Sequence, residues 1–433
     1  MSVVGIIAEY NPLHLGHVHH LETARAITGA HGLICVLSSN FVQRGEPALV
    51  SKWARAQMAL SSGADLVIEL PSAFSCASAE YFSAGAVSVL HNTGIVDYLC
   101  FGSEEGNIGV LETAAEQFAF ESEPFKENLK EGLNGGLSYA VARQKALESV
   151  LSDLKRNNDS CDYENKADSI VNAISKPNNI LGIEYIKALI RMNSPIKPVT
   201  IKRIGQGYNS MKHTSSYASA TAIRSHIQEL SAGNLLCDTD AFLHNNLSPE
   251  CLKTLLGEFN SGRGPVFPQA FENILLYAFR TKSVSEIRSL PYMEEGLENR
   301  LKQAAQKSAS YDELVRRVVT KRYPASRIRR ILFSMLTGMT GEFLEELKNN
   351  GYAQYIKILG FNETGRALLA DIKKKARLPI ITKPASYGEL DSRPAEKLFE
   401  YETKATDVYA LGFRSSIERI GGKEFTTSPI CPK

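Results

Sequence analysis

Residues Val3–Arg25 read VVGIIAEYNPLHLGHVHHLETAR. Val3 to Ala8 is a short apolar run stopped by the turn-rich EYNP, which predicts a buried strand ending in a tight loop. From Leu15 the apolar spacing turns helical. Leu15, Val18, Leu21, Ala24 and Ile27 are expected near one face, and Gly29 is expected to stop the helix. Between strand and helix lies His14-Leu15-Gly16-His17. A strand–loop–helix entry aims unpaired N–H groups and the positive end of a helix dipole at one point, which suits a phosphate. Gly16 lets a ligand approach the backbone. His14 and His17 can donate hydrogen bonds to phosphate oxygens as charge builds on them.

Two other readings compete. Four of the nine histidines fall between His14 and His20, so a metal site or a structural histidine cluster on a solvated helix start is also open. The seven cysteines show no paired spacing, and no carboxylate sits nearby at ligand spacing, which weighs against metal. His19 and His20 alone read as surface residues.

A chain of 433 residues is too long for a single core and predicts two or three domains. A net charge of +2 and a pI near 8.0 exclude a generally basic nucleic-acid binder, so any basic surface is local. There is no signal-peptide pattern and no run long enough to span a bilayer, and Cys35 and Cys100 sit in apolar runs as buried reduced thiols would. A cytoplasmic protein is expected.

Further strands are predicted at Gly32–Leu37, Asp65–Leu70, Tyr98–Gly102 and Pro198–Ile204, the last of the series. Helices are predicted at Trp53–Leu60, Ser78–Leu90, Val110–Phe118 and, amphipathic, within ILGIEYIKALI. SSNFVQRGEPALVSK reads as a polar loop, KRNNDSCDYENKADS as another, and Gly205 and Gly207 as part of a third. Strands alternating with helices imply a Rossmann-like parallel sheet covered on both faces, with ligands at the carboxyl ends of the strands. From about residue 231 helical periodicity takes over, with PIITKP as one short strand. The expected division is an α/β domain over 1–230 and a mainly α-helical domain over 231–433.

Two more stretches carry chemistry. Thr320–Arg330, TKRYPASRIRR, packs Lys321, Arg322, Arg327, Arg329 and Arg330 around a tyrosine, a density that suits phosphates and an unpaired base. A solvated helix face paired with Glu342, Glu345 and Glu346 is the bland alternative. Ser219-Ala220-Thr221-Ala222-Ile223-Arg224 opens a helix, where hydroxyls cap the end or meet an anion. Joined to an N-terminal HxGH, it matches adenylyl-transferring enzymes that close two such loops on a triphosphate. NSMKHTSS is a poor KMSKS, which favours the smaller nucleotidyltransferase form over a synthetase.

Taken together, GIIAEYNPLHLGHVHHL, FVQRGEPALVSKWARAQMAL, YLCFGSE, KPNNILGIEYIKAL, the Arg203 strand, ASATAIR and TKRYPASRIRRILFSMLTG resemble the bacterial tRNA(Met) cytidine acetate ligase family over nearly the whole chain. The resemblance implies a HIGH-signature nucleotidyltransferase fold. It also implies activation of acetate by ATP to acetyl-adenylate, and transfer of the acetyl group to N4 of the wobble cytidine of elongator tRNA(Met). The ATP site it implies comprises Ile7, Ala8, Glu9, Tyr10, Asn11, Pro12, Leu13, His14, Leu15, Gly16, His17, Val18, His19 and His20, with Gly102, Asn178 (or its neighbour Asn179) and Arg203. Ser219, Thr221 and Arg224 are expected at the pyrophosphate end. Magnesium is a plausible partner of the triphosphate, without a dedicated carboxylate cluster. An enzyme adenylylating a small phosphorylated metabolite and a non-catalytic nucleotide-binding RNA partner are the alternatives.

Overall fold

A computed structural model describes residues 2–156, 169–203, 218–233, 240–390 and 392–432. Nearly all of KRNNDSCDYENKADS lies outside these residues, as do Gly205, Gly207, NSMKHTSS, Cys161 and Cys237.

Seven strands form the main sheet. They are β1 (Val3–Ala8), β2 (Gly32–Ser38), β5 (Leu66–Leu70), β6 (Tyr98–Ser103), β7 (Lys197–Lys202), β8 (Ile356–Phe361) and β9 (Ile380–Ile381), in the order β7-β6-β1-β2-β5-β8-β9. A separate hairpin joins β3 (Phe41–Val42) to β4 (Glu46–Pro47). β7 through β5 are mutually parallel, as the strand–helix alternation requires. Along β2, Leu33, Cys35 and Leu37 face one helical layer while Ile34 and Val36 face the other, so both sides of the strand are apolar. From β1 the chain winds outward to β2 and β5, then returns to β6 and β7 on the other side. The reversal falls between β1 and β6, where an open α/β sheet leaves a crevice for ligand.

The expected strands and helices recur with small shifts of their ends, but four expectations change. First, β7 is not the last strand. β8 and β9 extend the sheet beyond β5, and β8 runs antiparallel to it. Lys357 interrupts the apolar pattern of YIKILGF, yet it is buried because Glu69 and Glu424 pair with it. The change to helical pattern near residue 230 is thus not the limit of the sheet. Second, SSNFVQRGEPALVSK, read as a polar loop, is largely buried and carries the β3–β4 hairpin. Ser38, Ser39, Asn40 and Phe41 are fully buried, and the polar side chains at 39 and 40 are hydrogen-bonded to Glu402, Thr406 and the Lys52 amide. Third, Ile27 is 51% exposed while Leu21 and Ala24 are buried. Steps of three residues lag the helical turn, so the stripe rotates off the sheet before Gly29, whose φ of 59° ends the helix. Fourth, the helix Pro177–Arg191 is buried from Gly182 to Leu189 and is not one-sided. Its Glu184 and Lys187 are buried together as an ion pair at 2.7 Å.

Cys35 and Cys100 are buried free thiols. Among the described residues no helix is long and apolar enough to cross a membrane.

Candidate active site

His14 is the N-cap of the helix Leu15–Thr28 and is 7% exposed. Its Nδ1 accepts the Gly16 amide at 3.1 Å, and His17 Nδ1 accepts the His14 amide at 3.3 Å. The two rings stack with centroids 3.8 Å apart. Tyr10, held at a φ of 46°, sets its ring edge-on to His17 at 5.0 Å. A neutral imidazole whose Nδ1 accepts must carry its proton on Nε2. The backbone therefore fixes the tautomer of both histidines and leaves each an Nε2–H donor.

Burial first, and the Arg203 charge second, lower the His14 pKa to about 4. Burial, then His14, His20 and Arg203, push His17 well below its usual value. Burial and Arg203 bring His20 to about 4, with its Nε2 3.9 Å from Cys100 Sγ. His20 is half-buried and sits against Cys100 of β6, so it is not simply a surface residue. The four histidines do not assemble a metal site, and no group of three metal-holding side chains occurs among the described residues.

The remaining pieces converge from other strand ends. Arg203 follows β7, donates its amide to Ser103 O at 2.8 Å, and lays its side chain over Gly102. A Cβ at Gly102 would stand 3.1 Å from Arg203 Cγ, a tight approach that would push the arginine aside by a few tenths of an ångström. Asn179 is fully buried and holds the loop after β6, accepting the Glu104 amide at 2.8 Å and the Glu105 amide at 3.1 Å. Asn178 is half-buried and meets Glu104 Oε1 at 2.6 Å through Nδ2. Of the two, Asn178 is the one that retains solvent exposure.

Ser219 caps the helix Ala220–Ala232 by accepting the Ala222 amide. Arg224 donates to Asn11 O at 2.7 Å and to Thr221 Oγ1 at 3.3 Å. Arg224 thus ties the Ser/Thr segment to the EYNP turn that precedes His14. Burial raises the Glu9 carboxyl against the opposing pull of the Gln43 amide, Arg224, Arg44 and Arg55.

The basic stretch is otherwise engaged. Arg330 is buried and donates to Gln43 O at 3.1 Å. Arg329 pairs with Glu46. Arg327 and Arg322 both pair with Glu294, at 2.7 and 2.8 Å. Arg330 is therefore not an open cation for RNA, because burial has given it a role in joining its helix to the β3–β4 hairpin. The acids involved are Glu46 and Glu294, not Glu342, Glu345 and Glu346. Lys321 and Arg322 stay exposed. Glu104 and Arg55 are not singled out by the sequence: Glu104 is half-buried against Asn178 and Asn179 and Arg55 is fully buried, and nothing local in YLCFGSE or SKWARAQ marks either side chain.

A mostly parallel sheet with a switch point at β1, a tautomer-fixed HxGH turn and a serine-capped arginine helix define a HIGH-type nucleotidyltransferase. The HIGH Nucleotidyl Transferase family model matches residues 1–424. The tRNA(Met) cytidine acetate ligase of Acetivibrio thermocellus is 43% identical, covering 99% of this chain and 100% of its own. That of Halothermothrix orenii is 40% identical, covering 98% of each. The crystal structure of Thermotoga maritima TmcAL bound with alpha-thio ATP superposes with a TM-score of 0.89 at 36% identity, covering 100% of this chain and 99% of that one. The chain belongs to the HIGH nucleotidyl transferase family and, within it, to the tRNA(Met) cytidine acetate ligases.

Proposed function

We propose that this chain activates acetate with ATP and transfers the acetyl group to N4 of the wobble cytidine of elongator tRNA(Met), in the cytoplasm. The observation that carries the reading is the pair of Nε2–H donors fixed by backbone contacts at a strand–helix turn. Preorganised donors of this kind stabilise charge developing on phosphate without reorganising during the reaction.

An acetate oxygen attacks the α-phosphorus in line, the bond to the bridging oxygen breaks, and pyrophosphate leaves. His14 and His17 meet the phosphate oxygens. Ser219, Thr221 and Arg224 hold the pyrophosphate end, and Gly102, Asn178 and Arg203 flank the nucleoside. In the second step the cytidine N4 attacks the acetyl carbonyl and loses a proton, and AMP departs. Glu9 is the one carboxylate among residues 7–20 and already accepts the Gln43 amide at 2.8 Å; we assign no residue to magnesium. For RNA, Lys321 and Arg322 are the exposed cations of the basic stretch, with Arg329 at its edge.

The test supplies ATP, labelled acetate and two transcripts of elongator tRNA(Met), one with the wobble cytidine changed to uridine. Label is expected on the cytidine transcript alone. Equal labelling of both, or none on either, would overturn the reading.

A further inference from the structure

The helix Lys52–Ser61 begins with cations and has no acid in its first turn, the wrong sign for a helix dipole. Yet Lys52 and Arg55 are both 0% exposed. Lys52 is neutralised by Glu69, Glu402 and Glu424. Arg55 has a different set of partners, since its guanidinium donates to four backbone carbonyls. These are Val50 O at 3.1 Å, Glu9 O at 2.8 Å, Ser38 O at 2.9 Å and Ser39 O.

Glu9 directly follows β1, Ser38 ends β2 and Ser39 follows it. These are the strand ends beneath the HLGH loop. Carbonyl oxygens left open there would face a polyphosphate with the same sign of charge. We propose that Arg55 is a positioning residue for ATP. It fixes the separation of the β1 and β2 ends and holds the Glu9, Ser38 and Ser39 carbonyls inward, away from the phosphates. A planar fork with five N–H donors serves four acceptors on three segments, whereas lysine offers three donors from one point. The inference rests on ATP binding at the HLGH loop.

Acetate-dependent ATP–pyrophosphate exchange tests it on wild type, Arg55→Lys and Leu301→Ala. Leu301 is buried in a helix packed against Glu272–Thr281, Val284–Arg288 and Tyr311–Val318, and serves as a control for lost stability. Arg55→Lys is expected to raise KM for ATP about tenfold or more with a smaller change in kcat. Leu301→Ala, even at a comparable loss of Tm, is expected to keep the wild-type KM. A KM in Arg55→Lys that matches either wild type or Leu301→Ala overturns the proposal. Should Arg55→Lys fail to fold, native-state hydrogen exchange on wild type decides. Amides of Glu9–Asn11, Ser38–Ser39 and Ser51–Arg55 must then open as one unit, and independent opening overturns the proposal. Absence of exchange activity in wild type itself would strike the ATP reading, not the role of Arg55.

Discussion

Arg224 donates to the carbonyl oxygen of Asn11 at 2.7 Å, across 213 positions of sequence. One charged hydrogen bond thus sets the spacing of the two segments proposed to grip the triphosphate. Arg224→Ala is expected to slow pyrophosphate exchange about 100-fold or more, as removal of a preorganised donor does. Arg224→Lys should recover only part of it, because a single ammonium cannot serve Asn11, Thr221 and a phosphate in one plane. Full activity in the alanine variant would remove Arg224 from the site.

His14→Ala and His17→Ala are each expected to lose about 3 kcal/mol of transition-state stabilisation in acetyl-adenylate formation. Single-turnover formation of labelled acetyl-adenylate reads this directly. Unchanged rates in both variants would refute the assignment.

The depressed histidines give ATP binding a pH signature. With the folded His14 at about 4 against 6.5 unperturbed, the unfolded ring binds a proton that the folded ring refuses. Its contribution to stability is therefore present above about 6.5 and is lost as pH falls toward about 4. A triphosphate beside the rings raises their pKa values. ATP binding at pH 5 is expected to take up protons, and calorimetry in two buffers of different ionisation enthalpy measures this. Proton release, or no linkage, would contradict it.

Asn178 and Asn179 should separate cleanly. Asn179→Ala removes the buried acceptor of the Glu104 and Glu105 amides and is expected to cost about 1–3 kcal/mol of stability. Asn178→Ala should leave Tm near wild type and raise KM for ATP. The reverse pattern, read by thermal melting and exchange kinetics, would swap the two roles.

Within the basic stretch, Lys321→Glu is expected to weaken tRNA binding and lower its salt dependence by about one counterion, sparing acetyl-adenylate formation. Arg330→Glu should instead damage both half-reactions and stability, because the buried link to Gln43 O breaks. Filter binding across a salt series, beside exchange activity, distinguishes them. Loss of tRNA affinity alone in Arg330→Glu would place that arginine on the RNA.

Local pattern revealed β1, the HLGH turn, the Gly29 stop and the Ser219 cap, because each is decided by neighbours within a few residues. What stayed hidden depends on partners far along the chain. Lys357 broke the apolar alternation of β8, and only Glu69 and Glu424 explain how it is buried. Arg327 and Arg330 looked like open cations until Glu294 and Gln43 O were seen against them. Arg55 resembled any helical arginine, since its four acceptors come from three separate segments.

β8 pairs with β5 across nearly 300 positions, and Ile430 bridges to Gly360 behind it. During synthesis the β5 edge must wait, unpaired, until almost the whole chain has left the ribosome. A fragment cut near residue 230 would carry that open edge permanently, and would bury Lys52 and Glu69 without Glu402, Glu424 or Lys357. Residues 356–424 thus complete both the edge of β5 and the charge cluster beneath it.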